Sequence, residues 1–313
     1  MAFTATTTLA ADLQTYFASE LLVVAEPVMV FKQFANMTPI PANSSKTISF
    51  SQYGKLPLVA VGSVLTEGVP PTENSLAVTA ITAIADQYGA FVKLTDLAVL
   101  TPKHPVVAEA MYLLGRQAGE SIDQIISGVI LAGTAVQYGG AAASRVALAI
   151  TDVATSTVLR KAVKALRANA AVPFGAANLG SGSGTDSGSY VLVVDPSVEA
   201  DLLADTTFVT AASYSAVDKL FNSEIGTWFG VRVVRSNNMV AVASTTTVHT
   251  SLLLGKNAFA VADLQNLQMI TQEPGSVSDP LEQYRTLGWK VAFKTVILNN
   301  NFMIRIETGS AYN

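Results

Sequence analysis

HPVVAEAMYLLGRQAGESIDQIISGVILAGT, residues His104 to Thr134, decides the reading of this chain. Apolar residues recur at Val107, Met111, Leu114, Ala118, Ile122, Ile125 and Val129, in steps of three and four. That is the helical period, held over about seven turns. At ~1.5 Å rise per residue it makes a rod of roughly 40 Å. Pro105 suits a first turn, where its missing N–H costs nothing. Glu109, Arg116, Glu120 and Asp123 fall off the stripe and are expected to face water or a partner. A rod this long reads as a spine against which a sheet packs lengthwise. Seven stripe residues at ~1.5–3 kcal/mol each make the seam worth on the order of 10 kcal/mol before entropy. Gly115, Gly119 and Gly128 each weaken an isolated helix by about 1 kcal/mol relative to Ala. They are expected to mark a close crossing of another backbone.

Outside this rod the composition is unusual. Half of the 313 residues are hydrophobic, only 13% are charged and the mean hydropathy is +0.39. So few charges cannot cover the surface of an ordinary soluble monomer. Either a membrane or other subunits must cover much of it. The longest uncharged stretch, Gln124 to Ser144, is broken by Ser127, Thr134, Gln137 and Gly139-Gly140. Its strongly apolar part falls short of the ~20 residues a membrane span needs. No Lys or Arg precedes Lys32, so no positive signal-peptide region is visible. A cytoplasmic, obligately oligomeric protein is the expectation. The absence of cysteine excludes disulfides and thiolate metal sites. A net charge of −4 argues against a general nucleic-acid binder.

Before the rod, Met1 to Asn43 reads as an arm with little tertiary content, with a candidate helix over Ala10–Ala25. Pro27, Pro39 and Pro41 force extended or turning backbone. KTISFSQY, Lys46 to Tyr53, alternates Ile48 and Phe50 against Thr47, Ser49 and Ser51. Gly54 to Asn74 is rich in Gly, Pro and aliphatic residues. Ser75 to Ile84 and Gln87 to Leu97 are two further strand-like runs joined by a turn at Ala85-Asp86. Together they form an apolar excursion with no obvious helix to lie on. It is either an edge hairpin folded back on its own domain or an arm added to a neighbouring subunit.

After the rod, Ala135 to Val146 reads as a loop. TVLRKAVKALRA, Thr157 to Ala168, is an amphipathic helix with Leu159, Val163 and Leu166 inside and Arg160, Lys161, Lys164 and Arg167 outside. Leu179 to Ser189 reads as a flexible surface loop. YVLVVD, Tyr190 to Asp195, has the pattern of a buried strand, and Pro196 opens a short helix. Val231–Arg235, Met239–Ala243, Val248–Leu254 and Ala258–Ala262 are strand signals separated by turns, giving an α+β body on a central sheet. Gly288–Leu298 and Phe302–Thr308, with a turn at Asn299–Asn301, read as a terminal hairpin. It is expected to pair near Val92 and to pack on the rod.

Residues for chemistry are sparse. His104 and His249 are the two histidines, and neither has a metal-type spacing partner. The Gly180–Gly184 region lacks the Gly-x-Ser-x-Gly elbow, and no Lys-Ser or Lys-Thr follows it to cradle phosphate. Asp201 and Asp205 sit one turn apart and read as a solvated helix face. No catalytic, cofactor-binding or metal-ligating set emerges.

Several longer segments carry a resemblance. They are PIPANSSKTISFSQYGKLP (Pro39–Pro57), LTEGVPPTENSLAVTAITAIADQYGAFVKLTD (Leu65–Asp96), ILAGT (Ile130–Thr134), LFNSEIGTWFGVRVV (Leu220–Val234) and DPLEQYRTLGWKVAFKTVILNNNFMIRIE (Asp279–Glu307). In these the chain resembles the major capsid proteins of tailed bacteriophages, of the Hong Kong 97-type fold, in the branch typified by the phage called N-four. The resemblance implies an N-terminal arm (1–45), an extended loop with flanking strands (46–96), a spine helix and peripheral domain (97–150), an axial domain (151–272) and returning peripheral strands (273–313). It implies a structural protein, not an enzyme, that self-assembles into pentamers and hexamers of an icosahedral head around double-stranded DNA. Subunit contacts would run through Leu56, Leu58, Val61, Val64, Leu65, Glu67 and Val69. Further implied partners are a scaffolding protein, a portal and a decoration protein, with DNA touched only non-specifically and no membrane. Assembly would take place in the host cytoplasm. The arm begins near the first residue, so scaffolding is expected from a separate protein or an earlier removed segment. The Lys–Asn cross-link of some relatives is not carried over, because Lys55 shows no matching partner or acid. A nanocompartment shell of the encapsulin type is the alternative, and a hydrolase is the remote one.

Overall fold

A computed structural model describes residues 29–41, 45–54, 56, 59, 64–65, 67–68, 73–101, 105–175, 188–205, 209–210, 223–239, 242–244, 246–272 and 283–312. The candidate helix at Ala10–Ala25, His104 and most of the Leu179–Ser189 loop lie outside them. The long helix spans Val106–Leu131. Its buried side is formed by Met111, Leu114, Ala118, Ile122, Ile126 and Ile130. The first four follow the expected stripe. Beyond Ile122 the stripe shifts by one residue, so Ile126 and Ile130 are buried while Ile125 and Val129 are half-buried. A period of 3.6 drifts relative to alternating steps of three and four, and five consecutive aliphatic-rich turns leave the phase open to the packing partner. Gly115 and Gly119 are buried, but Gly128 faces open space and marks no crossing.

A four-stranded sheet packs along this helix. Its order is β1 (Asn36–Pro39), β12 (Phe259–Gln272), β13 (Tyr284–Ile297) and β4 (Asp86–Thr95). Leu287, Trp289, Val291 and Phe293 alternate along β13 and share one core with the helix residues. The pairing near Val92 is found, opposite Leu287. β12 is far longer than the Ala258–Ala262 signal, because its second half presents polar residues outward and bends through irregularities at Asp263–Gln268.

The second sheet has eight strands. Its path is β5 (Val136–Tyr138), β14 (Met303–Thr308), β11 (Thr247–Leu254), β6 (Val191–Val194), β9 (Val231–Arg235), β8 (Glu224–Trp228) and β7 (Val209–Thr210), with β10 (Val242–Ala243) on β11. It is covered on both faces. Val191 and Val193 point into the core of the long helix, whereas Leu192 and Val194 point at the helices Ser156–Ala168 and Pro196–Leu203. Two-sided burial explains why this stretch reads as an unbroken apolar run.

Three expectations are corrected. The terminal strands are not a hairpin: β13 lies in the four-stranded sheet and β14 in the larger one, separated by a 3-10 turn at Asn300–Phe302. Likewise, Ala85-Asp86 is not a hairpin turn. β3 (Val78–Ile84) pairs with β2 (Thr47–Tyr53), and the chain then passes directly into β4 of another sheet. Finally, the arm is not without tertiary content in its later part. Phe31, Phe34 and Ile40 are buried, and β1 pairs in parallel with β12.

Candidate intersubunit surface

β2 and β3 form a two-stranded ribbon of seven residue pairs, from Thr47 opposite Ile84 to Tyr53 opposite Val78. At ~3.4 Å per residue it is roughly 24 Å long. Among the described residues its buried apolar contacts lie at its base. There Ile48, Phe50 and Ala83 meet Ile40, Ala262 and Val296. Toward the tip, apolar side chains stand in solvent: Leu56 is 46% exposed, Val59 78%, Val64 85% and Leu65 72%. Tyr53, Leu76 and Val78 extend this exposure down the ribbon. Glu67 is exposed beside them. Leu58, Val61 and Val69 lie outside the described residues. An isolated two-stranded ribbon is marginal in water, and an uncovered apolar edge invites pairing with another chain.

Two buried polar junctions tie the elements together, and the sequence pointed to neither. Asp123, expected to face water, is fully buried. Its carboxylate accepts from the Phe31 N–H at 2.8 Å and from the Asn238 side-chain amide at 2.9 Å, with Ser236 Oγ 3.4 Å away. Ser127, one turn on, donates to the Asn238 carbonyl. One acid on the spine thus holds the end of the arm and the loop after β9. Burial pushes the Asp123 carboxyl above its usual range, against the hydrogen bonds from Asn238, Phe31, Val30 and Ser236.

The second junction is Glu307 on β14, also fully buried. Arg145 clasps both of its oxygens, with Nε 2.8 Å from Oε2, and Arg305 Nε lies 2.7 Å from Oε1. Burial pushes this carboxyl up, but the Arg145 hydrogen bond and the charges of Arg305 and Arg145 outweigh it and hold Glu307 below its usual range. Arg305 also donates to the carbonyl of Leu131, the last residue of the long helix, where a cation is favoured by the helix dipole. Alternation along β14 sets Arg305 and Glu307 on one face with Met303. A sheet covered on both faces turns that polar stripe into a buried pair.

Neither junction is built for catalysis. His249 Nδ1 lies 2.6 Å from Asp195 Oδ2, and the same carboxylate caps the helix that begins at Pro196. This fixes β11 to that helix start. Asp201, expected in a solvated face, accepts from the Ala311 N–H. Among the described residues no three His, Asp or Glu side chains gather as a metal site, and no helix is long and apolar enough to cross a membrane.

Comparison with known proteins agrees with this geometry. The profile of a family described as "Phage capsid protein" matches residues 79–303. No curated protein matches the sequence. Among solved structures, the capsid of Ralstonia phage GP4 is similar at 18% identity over 88% of this chain and 87% of that one, with a TM-score of 0.67. The cyanophage Pam1 capsid is similar at 16% identity over 87% of each chain, TM-score 0.64. The head structure of Helicobacter pylori bacteriophage KHP40 follows at 12% identity over 90% and 91%, TM-score 0.62. At such identities the likeness is one of fold. The family profile, which spans more than two thirds of the chain and includes the spine and most strands of both sheets, decides the matter: this chain belongs to the phage capsid protein family, on the Hong Kong 97-type capsid fold, and is a structural protein and not an enzyme.

Proposed function

We propose that this chain is the major shell subunit of a phage head, closing as pentamers and hexamers around double-stranded DNA. The observation that carries this reading is the ribbon β2–β3, whose apolar tip has no cover within its own chain among the described residues. Laid across a neighbouring copy, Leu56, Val64, Leu65 and Glu67 lose their exposure, and Leu58, Val61 and Val69 are proposed as further contacts on the sequence alone. Each contact is then weak, but many per subunit add. Heterologous contacts that close by rotation make rings, and rings joined at their edges make a shell.

On this reading residues 1–45 are an arm, 46–96 the extended loop and 97–150 the spine and peripheral domain. Residues 151–272 are the axial domain, and 273–313 return to the peripheral domain. The placement of β14 in the larger sheet means that this last segment serves both. A scaffolding protein, a portal and a decoration protein are the expected further partners, with assembly in the host cytoplasm. The test is electron microscopy of the purified protein, alone and with residues Val64–Pro71 deleted. Closed shells from the intact chain, and folded subunits without shells from the deletion, support the proposal. A monodisperse intact monomer, or normal shells from the deletion, overturns it.

A further inference from the structure

The helix Ser156–Ala168 carries a feature that shell closure does not account for. Arg160, Lys164 and Arg167 lie at i, i+4 and i+7, on one exposed face. None of them has an acidic partner among the described residues. Several cations elsewhere are paired: Lys32 with Asp263, Arg116 with Glu120, Arg232 with Glu224, Arg235 with Glu199 and Lys294 with Asp86. On this helix three cations stand together on one face.

The three cations rim a groove of about 610 Å³ whose floor is apolar, formed by Leu159, Val163 and Phe229. Phe229 occupies the two-residue turn between β8 and β9 with φ +51°, beside Gly230 at φ +76°. Turns of this kind select Asn, Asp or Gly, because both central residues are left-handed. A large aromatic residue is a strained choice there, and strain of this sort is retained where a side chain must be presented. The ring is held in place by the Arg160 guanidinium, 4.4 Å from its centroid.

We propose that this groove is a docking site for an acidic, amphipathic segment of a separate protein, with carboxylates on the cationic rim and an apolar face on the floor. Two observations favour this over nucleic acid. The floor offers nothing to a phosphate backbone, and Arg160 already covers one face of the Phe229 ring, the aromatic ring that lines the groove. A second copy is the weaker occupant. The densest run of acids in the chain, Asp195 to Asp205, is engaged internally through His249, Arg235 and the Ala311 N–H.

The test uses assembled full-length shells and three fluorescent probes. These are a peptide with Glu on one helical face and Leu on the other, its Glu-to-Gln counterpart, and a thymidine oligonucleotide. Anisotropy is expected to show salt-sensitive binding of the Glu peptide only, weakened roughly tenfold or more by Lys164→Glu with Arg167→Glu. Phe229→Ser is expected to weaken the same peptide while leaving shells intact. Tighter binding of the oligonucleotide overturns the proposal, as does peptide binding unchanged by the double substitution or no peptide binding at all. Folded double-mutant subunits that no longer form shells would identify the occupant as a second copy, and would equally overturn it.

Discussion

The side-chain amide of Asn238 donates to the carboxylate of Asp123 across 2.9 Å, joining residues 115 positions apart in the chain. The same carboxylate receives the Phe31 N–H, 92 positions away in the other direction. A single acid in the middle of the spine therefore sets where the arm ends and where the loop after β9 sits. Asp123→Ala leaves the Phe31 N–H buried and unsatisfied and deprives the half-buried Asn238 amide of its acceptor. A loss of about 2–4 kcal/mol is expected in denaturant unfolding of unassembled subunits at neutral pH. A change within about 0.5 kcal/mol would show that the junction is idle.

The two buried carboxylates respond to pH in opposite senses. Asp123 has its folded value raised, so its contribution is fully present below the ordinary carboxylate range and is lost as pH rises through the folded value. Relative to Asp123→Asn, the wild-type subunit should therefore lose stability as pH climbs from that range. A flat or rising difference contradicts the desolvated site.

Glu307 has its folded value lowered, so its contribution is present above the ordinary Glu range and disappears as pH falls through the folded value. Glu307→Gln strands Arg145 and the partly buried Arg305, and should cost about 2–4 kcal/mol at neutral pH. Unfolding measured across an acid titration should show that gap closing. If the gap persists unchanged in acid, the charge pairing is not its source.

Along the spine, Ile126 is fully buried and Ile125 only half-buried. Ile126→Ala is expected to destabilise by about 2–5 kcal/mol, and Ile125→Ala by distinctly less. Ile126→Asp should yield insoluble protein, because it places an unpaired charge in the seam. Equal effects at the two sites in thermal unfolding would return the stripe to its simpler phase.

At the ribbon the expectation is reversed. Val64 and Leu65 are strongly exposed, so Val64→Asp with Leu65→Asp should leave subunit stability within about 0.5 kcal/mol. Sedimentation should nevertheless show that assembly is lost. Shells of normal size and yield from the double mutant would remove the ribbon from the interface.

The sequence by itself determined the local periods: a long helix over Val106–Leu131, the alternating strand at Thr47–Tyr53, the buried run at Val191–Val194 and an aliphatic, Gly- and Pro-rich excursion ahead of the helix. These are properties of neighbouring residues, since helix and strand repeats are written within one or two turns of chain. Tertiary structure alone decided the partners. β13 and β14 carry the same alternation around an Asn-rich turn, and only the two sheets waiting on either side separate them. The phase of the spine beyond Ile122 was likewise open until β13 packed on it. Asp123 and Glu307 look like solvent-facing acids in any local reading, because what permits their burial is donated from more than ninety residues away. Burial of a charge depends on groups that satisfy it, and the fold brings those groups together from positions the local pattern does not link.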